Sequence, residues 1–298
     1  MTLEVFVQQL INAISLGSLY ALLALGLAMV YGVLKVLNFA HGDLVAVTGY
    51  IMWLLWMKGG VSFPVAVVAG ILGATLVSIL TELIAFRPLR KASYAVLLIS
   101  SFAVSVIIQN LVRLLIDPRP QGMKIPAVFD RVMIIGSFHI GFLALFTLAT
   151  CLSAMGLLLY FLMRTRWGMA LRAAAADFEV ARLVGVPANS VISLAFAVAG
   201  LLAGIGGALW VIRSGGIAPT MGLYAIITAF VSNIIGGLGS LVGAVVGGLV
   251  YGFLDIYLRA LLPAEIRAFV QAFILIAVVI ILAIRPQGLM LKRREVSK

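Results

Sequence analysis

Apolar runs of about 20 residues recur along this whole chain, and charged side chains are confined almost entirely to the gaps between them. A helix of that length spans the roughly 30 Å hydrocarbon core of a bilayer. In water such a run would have to be buried on every side, and the composition rules that out. Of 298 residues, 64% are hydrophobic and only 10% charged, and mean hydropathy is +1.22; soluble domains carry about 25% charge. The short alternating segments of a membrane β-barrel are absent. The sequence therefore predicts an all-α polytopic membrane protein, with one transmembrane domain over residues 1–298 built as a bundle of about eight or nine helices.

The apolar segments run over residues 6–34, 44–57, 64–86, 94–115, 141–163, 191–212, 224–235, 241–262 and 266–284. The second and seventh are short enough that a broken or re-entrant segment is the alternative to a full crossing. No basic residue precedes Lys35, so the first segment lacks the positive flank of a secretory signal and is read as retained. Of the 21 basic residues, eight (Lys58, Arg113, Arg119, Lys124, Arg131, Arg213, Arg259 and Arg267) fall at one set of segment ends or their loops, and the majority of 13 at the other: Lys35; Arg87, Arg90 and Lys91; Arg164, Arg166, Arg172 and Arg182; Arg285, Lys292, Arg293, Arg294 and Lys298. By the positive-inside rule these 13 mark the cytoplasmic side, with the N-terminus periplasmic and the C-terminus cytoplasmic. The net charge of +11 is thus spent on topology rather than gathered into one patch, and nucleic acid is not an expected partner. Cys151 lies in an apolar run, and His41 and His139 are far apart without acidic neighbours in metal-ligand spacing, so no metal centre is expected.

Two loops stand out. Residues 116–140 are mixed in charge and rich in turn formers, which suits a small external docking surface. Residues 164–190 form the longest polar interval, with a helix expected over 169–184, stopped by Gly185 and Pro187, with Leu171, Phe178 and Leu183 on its apolar face. Within it, Glu179-Val180-Ala181-Arg182-Leu183-Val184-Gly185 resembles the E-A-A-x-x-x-G signature of ABC importer permeases, with Val180 in place of the middle alanine. In those proteins a short helix and its Gly-ended turn dock into a cleft on the ATPase. A capped loop helix without a partner is the competing reading of seven residues alone.

The remaining motifs weigh that choice over the full length. Gly17-Ser18-Leu19-Tyr20-Ala21-Leu22, Val30-Tyr31-Gly32, Asn38-Phe39-Ala40-His41-Gly42-Asp43, the stretch 172–186, and Gly236-Gly237-Leu238-Gly239-Ser240 with Gly243-Ala244 together resemble the branched-chain amino acid ABC permease family, H-type subunit. The resemblance implies a bacterial inner-membrane importer: this chain, a related M-type permease, two ABC ATPase subunits and a periplasmic substrate-binding protein. No G-x-x-x-x-G-K-[ST] loop occurs in the sequence, so this chain is expected to bind no cofactor itself, ATP and Mg belonging to the partner subunits. The family also includes carriers of urea and short amides, which is the alternative substrate class. The alternative of another class is a self-sufficient channel or ion-coupled carrier, but mid-span acids are scarce, with Glu82 and Asp255 both toward segment ends. An enzyme would need a converging nucleophile and base that the sequence does not offer.

On this reading Arg172, Asp177, Glu179, Ala181, Arg182 and Gly185 are ATPase-docking residues. Asn38, His41, Asp43, Asn233, Gly236, Gly237 and Gly239 are candidates for a translocation path, with a helix cap at the cytoplasmic surface the favoured structural role for the first three. Gly200 and Gly204, and Gly243 and Gly247, have the four-residue spacing that lets helices approach closely. The remaining apolar faces are expected to meet lipid.

Overall fold

The first helix, α1 (Leu3–Leu34), is apolar all round and free of proline, a pattern that suits a helix enclosed by others. In the computed structural model, which describes residues 3–90, 92–136 and 138–290, residues 15–30 of α1 are buried without a break. Lys91, Lys292, Arg293, Arg294 and Lys298, used above as topology markers, lie outside the described residues. The other helices are α2 (Asp43–Trp53), α3 (Phe63–Thr81), α4 (Tyr94–Leu115), α5 (Phe142–Arg164), α6 (Arg166–Ala176), α7 (Phe178–Leu183), α8 (Ala188–Ser214), α9 (Met221–Gly236), α10 (Leu241–Leu261) and α11 (Val270–Ile284). Among the described residues, seven helices are long and apolar enough to cross a membrane, whereas α2 and α9 are shorter, at 11 and 16 residues. The short second and seventh segments of the sequence are thus short in the structure as well.

The way α2 begins corrects the favoured cap at a membrane surface. Lys35 takes a left-handed backbone (φ 56°) and reverses the chain at the end of α1. The next residues run back alongside α1, so that His41 Nε2 donates to Leu23 O at 3.2 Å. Leu23 lies 11 residues from the end of α1, about 16 Å at 1.5 Å per residue, so α2 starts deep in the bundle. It runs from there to the end where Trp53 Nε1 and Trp56 Nε1 donate to Gly122 O (3.2 Å) and Lys124 O (2.8 Å) of the 116–140 loop. Asn38 does not cap α2: its Oδ1 accepts from Ala40 N (3.1 Å) and caps the single turn Phe39–His41. Irregular backbone at this depth survives because protein surrounds it; Asn38, His41 and Asp43 are all buried.

The second half repeats the device upside down. α8 ends beside the 116–140 loop, where β4 (Gly216–Ile217) pairs antiparallel with β1 (Gln121–Gly122). Residues 215–220 then dip back into the bundle, and α9 starts with Gly222 against Gly42 and Asp43 at the start of α2. It runs away from that loop, and its far end is bound by the C-terminal segment, Leu289 N to Ile235 O at 2.8 Å and Met290 N to Gly236 O at 3.1 Å. The packing exchanges in the same sense: α1 packs on α10 as α8 does on α3, α9 on α10 as α2 on α3, and α1 on α9 as α8 on α2. An inverted pair of four-helix units, α1–α4 and α8–α11, joined by α5–α7, accounts for this pattern.

Glycines make the close approaches. Gly200 and Gly204 of α8 lie against Thr75 and Ser78, and against Ile71, of α3. Gly243 and Gly247 of α10 meet Gly236 and Ser232 of α9, and Gly248 lies on the backbone of Ala21 in α1. The 116–140 loop adds a hairpin, β2 (Val132–Ile135) with β3 (Phe138–Gly141), and Gln8 of α1 exchanges two hydrogen bonds with His139 (2.9 and 3.0 Å).

Candidate docking helix and polar midpoint

The polar interval after α5 is two helices where the sequence suggests one. Thr165 Oγ1 accepts from Gly168 N (2.9 Å) to start α6, and Asp177 Oδ1 accepts from Val180 N (3.0 Å) to start α7. Asp is a strong N-cap whose side chain competes for backbone donors, and at Asp177 (φ −153°, ψ 109°) it wins, breaking the expected helix over 169–184. The break also divides the expected apolar face. Leu171 turns into the core, Phe178 is half-buried against it, and Leu183 is 85% exposed.

Gly185 closes α7 with φ +88°, its N–H bonded to Arg182 O (3.1 Å) and Val186 N to Ala181 O (3.0 Å). This is the left-handed glycine stop that satisfies the last carbonyls of a helix. Ala181 faces inward and is buried, while Glu179 and Arg182 form an exposed pair at 3.6 Å. Such a pair is worth little to stability, so its groups are free to serve an incoming surface. Val180, Leu183 and Val184 are exposed beside it. Arg172 is exposed on α6 and joins no ion pair among the described residues. A cleft of about 830 Å³ opens between α7, the end of α1, the segment joining α3 to α4 and the start of α8, bordered by Lys35, Arg90, Phe178, Glu179, Arg182 and Asn189. Its rim is anchored by Glu82, fully buried, which takes Arg87 Nη2 at 3.2 Å, Ser193 Oγ at 2.8 Å and Arg90.

The path candidates gather at the midpoint, where both interrupted segments fasten to α1. His41 and Asn233 donate to consecutive carbonyls, Leu23 O (3.2 Å) and Ala24 O (2.8 Å). Asp43, in the first turn of α2, accepts from Gln109 Nε2 of α4 at 3.1 Å. His41 Nδ1 and Asn233 Oδ1 are buried without a hydrogen-bond partner among the described residues, a state that usually costs about 1–3 kcal/mol per group. Gly236 ends α9, and Gly237 (φ +107°) donates its N–H to Asn233 O at 2.8 Å, while Gly239 (φ +82°) lies beside Tyr31 near the end of α1. The structure thus joins Asn38, His41, Asp43 and Asn233, with the glycine turn one helical turn beyond Asn233.

A second polar cluster escaped the sequence reading, which noted Asp255 only as an acid near a segment end. Tyr20 Oη donates to Asp255 Oδ2 (3.0 Å) and Arg259 Nε to Asp255 Oδ1 (2.7 Å). Trp210 packs tilted against Tyr20 and edge-on against Tyr224, with ring centroids at 5.9 and 5.5 Å. The available signal was the Asp255/Arg259 pair at i,i+4, one helical turn apart in an otherwise apolar run.

Residues 9–279 match the family described as "Branched-chain amino acid transport system / permease component". The chain is 34% identical over 250 residues to the high-affinity branched-chain amino acid transport system permease protein BraD of Pseudomonas aeruginosa, covering 79% of this chain and 80% of that one. It is 33% identical over 249 residues to the permease proteins LivH of Salmonella typhimurium and of Escherichia coli, again covering 79% of this chain and 80% of each.

Proposed function

The chain belongs to the branched-chain amino acid transport system permease family, and from that premise we infer that it is a permease subunit of an ABC importer for leucine, isoleucine and valine or related amino acids. In this reading two separate ATPase subunits bind ATP and its Mg, a second, M-type permease completes the membrane part, and a periplasmic binding protein delivers the substrate. The assembly sits in a bacterial inner membrane, with the 116–140 loop periplasmic and α6–α7 cytoplasmic.

The observation that carries the reading is α7: a helix fixed at both ends, by Asp177 and Gly185, that turns Glu179, Arg182, Leu183 and Val184 outward. A rigid, short lever with a mixed apolar and charged face suits docking on a soluble motor. Closure of the ATPase dimer would push on α7, and α6 and α8 would pass the movement to α1 and the two interrupted helices. The exposed apolar faces of α3, α4, α5 and α11 are then available to lipid and to the second permease.

The deciding experiment is uptake of labelled leucine by cells lacking the chain and complemented with wild type or Glu179→Arg. The charge reversal is expected to abolish uptake while the protein inserts and accumulates normally. Wild-type uptake in that variant would remove the docking role.

A further inference from the structure

We propose that the cavity walled by Tyr20, Trp210, Arg213 and Tyr224, in the half of the bundle nearer the 116–140 loop, is a binding site for the carboxylate of a small zwitterion with an apolar side chain. This rests on the importer reading and deepens it. The cavity holds about 240 Å³, below the roughly 300–1,000 Å³ of pockets for drug-sized ligands, and so suits a single amino acid. Its charged groups are not evenly matched. Asp255, buried, has both oxygens occupied, one by Tyr20 Oη (3.0 Å) and one by Arg259 Nε (2.7 Å). Arg213 lines the same cavity and has no hydrogen bond or ion pair among the described residues. One guanidinium is left over, and a guanidinium fork is the group best shaped to hold a carboxylate by two parallel bonds.

The rest of the wall fits the remainder of such a ligand. Leu16 and Leu19 offer apolar surface for a branched side chain. The rings of Trp210, Tyr20 and Tyr224 line the remaining wall, and aromatic rings attract an ammonium group. Tyr224 lies in the first turn of α9, the positive end of a short helix, which adds a modest attraction for an anion.

A second space lies between the cavity and the 116–140 loop. This space of about 410 Å³, bordered by Gln121, Gly122 and Ile217 at the junction of the 116–140 loop with residues 216–217, shares Trp210 and Ser214 with the cavity. The site thus lies one side chain inside the proposed delivery face and ahead of the buried midpoint at Asp43. The branched-chain amino acid would rest here after release from the binding protein.

The test uses the membrane complex of both permeases and both ATPases, purified without the binding protein in lipid-free detergent, with L-leucine and leucinamide as probes and the melting temperature as readout. Leucine is expected to raise the wild-type value and leucinamide, which lacks the carboxylate, to leave it unchanged. Arg213→Gln is expected to raise the leucine concentration for half-maximal shift about tenfold or more, as the loss of a charge-assisted bond implies, and Arg213→Lys to restore part of it. Arg213 makes no hydrogen bond or ion pair among the described residues, so its replacement breaks neither. Absence of a leucine shift in wild type, an equal shift with leucinamide, or an unaltered shift in Arg213→Gln would each overturn the site. An Arg213-dependent shift given by phosphatidylglycerol but not by leucine would make this a lipid contact and overturn it too. Leucine uptake in intact cells separates the two claims: if wild type takes up no leucine, the importer reading fails; if wild type and Arg213→Gln take it up equally, only the carboxylate site fails.

Discussion

At Gly248 a single added carbon decides whether two helices can meet, because a Cβ there would run into the backbone of Ala21 on α1. Backbone cannot swing aside as a flexible side chain can, so the cost should reach or exceed the roughly 1–3 kcal/mol typical of an overpacked core. Gly248→Val is therefore expected to lower the melting temperature of the purified protein and its yield in the membrane. Gly156→Ala on α5, where a Cβ meets nothing within 4 Å, should leave both unchanged, and equal loss in the two variants would contradict the packing account. The four-residue spacing of Gly200 and Gly204, and of Gly243 and Gly247, was legible in the sequence. Which helix each pair would press against was not, since that depends on which residues lie opposite in space. Arg213 illustrates the same limit. It read as an end-of-segment charge, and only the fold placed it on a wall with Trp210 and Tyr224.

Among the elements, the break between α6 and α7 separates a smooth loop helix from a lever with its own direction. Residues 169–184 are rich in alanine, and Asp177 and Glu179 ahead of Arg182 read as helix-favouring charge order, so composition pointed to one continuous helix. The competing effect was local: Asp177 can take a backbone N–H for itself. Asp177→Ala removes the bond to Val180 N and should cost about 1 kcal/mol of capping. The expected outcome is a straighter, continuous helix that misaims Glu179 and Leu183. Uptake should fall several-fold, and less ATPase should copurify. Unchanged uptake and copurification would show that the kink is dispensable. The interrupted starts of α2 and α9 were legible as short segments beside polar or glycine-rich turns. Their depth was not, because the reversal at Lys35 depends on one left-handed backbone angle in a residue that carries no strong turn signal.

Taken whole, the bundle is two inverted units around an enclosed first helix, with the charged and mixed loops gathered at opposite ends. The membrane class, the positions of the long helices and the two polar loops could be read from the letters, because apolar length and charge placement act locally. The inverted relation could not, since α1–α4 and α8–α11 share an arrangement without sharing residues. The proposed orientation gives a direct expectation. With Cys151 buried and silent, a cysteine placed at Gly136 in the hairpin turn should react with a membrane-impermeant maleimide on intact spheroplasts. One placed at Leu183 should react only after the membrane is opened, and the reverse pattern would invert the topology.

The shortness of α2 and α9 also bears on how the protein comes to be made. A segment of 11 residues entered through a reversed loop offers lipid neither the length nor the satisfied backbone that a membrane-crossing helix needs. The partners that cover α2 include α8 and α9, which leave the ribosome more than a hundred residues later. Until then residues 35–62 have no finished place in the membrane. The nascent chain must therefore shelter its early half at the insertion machinery and settle it only when the late half arrives.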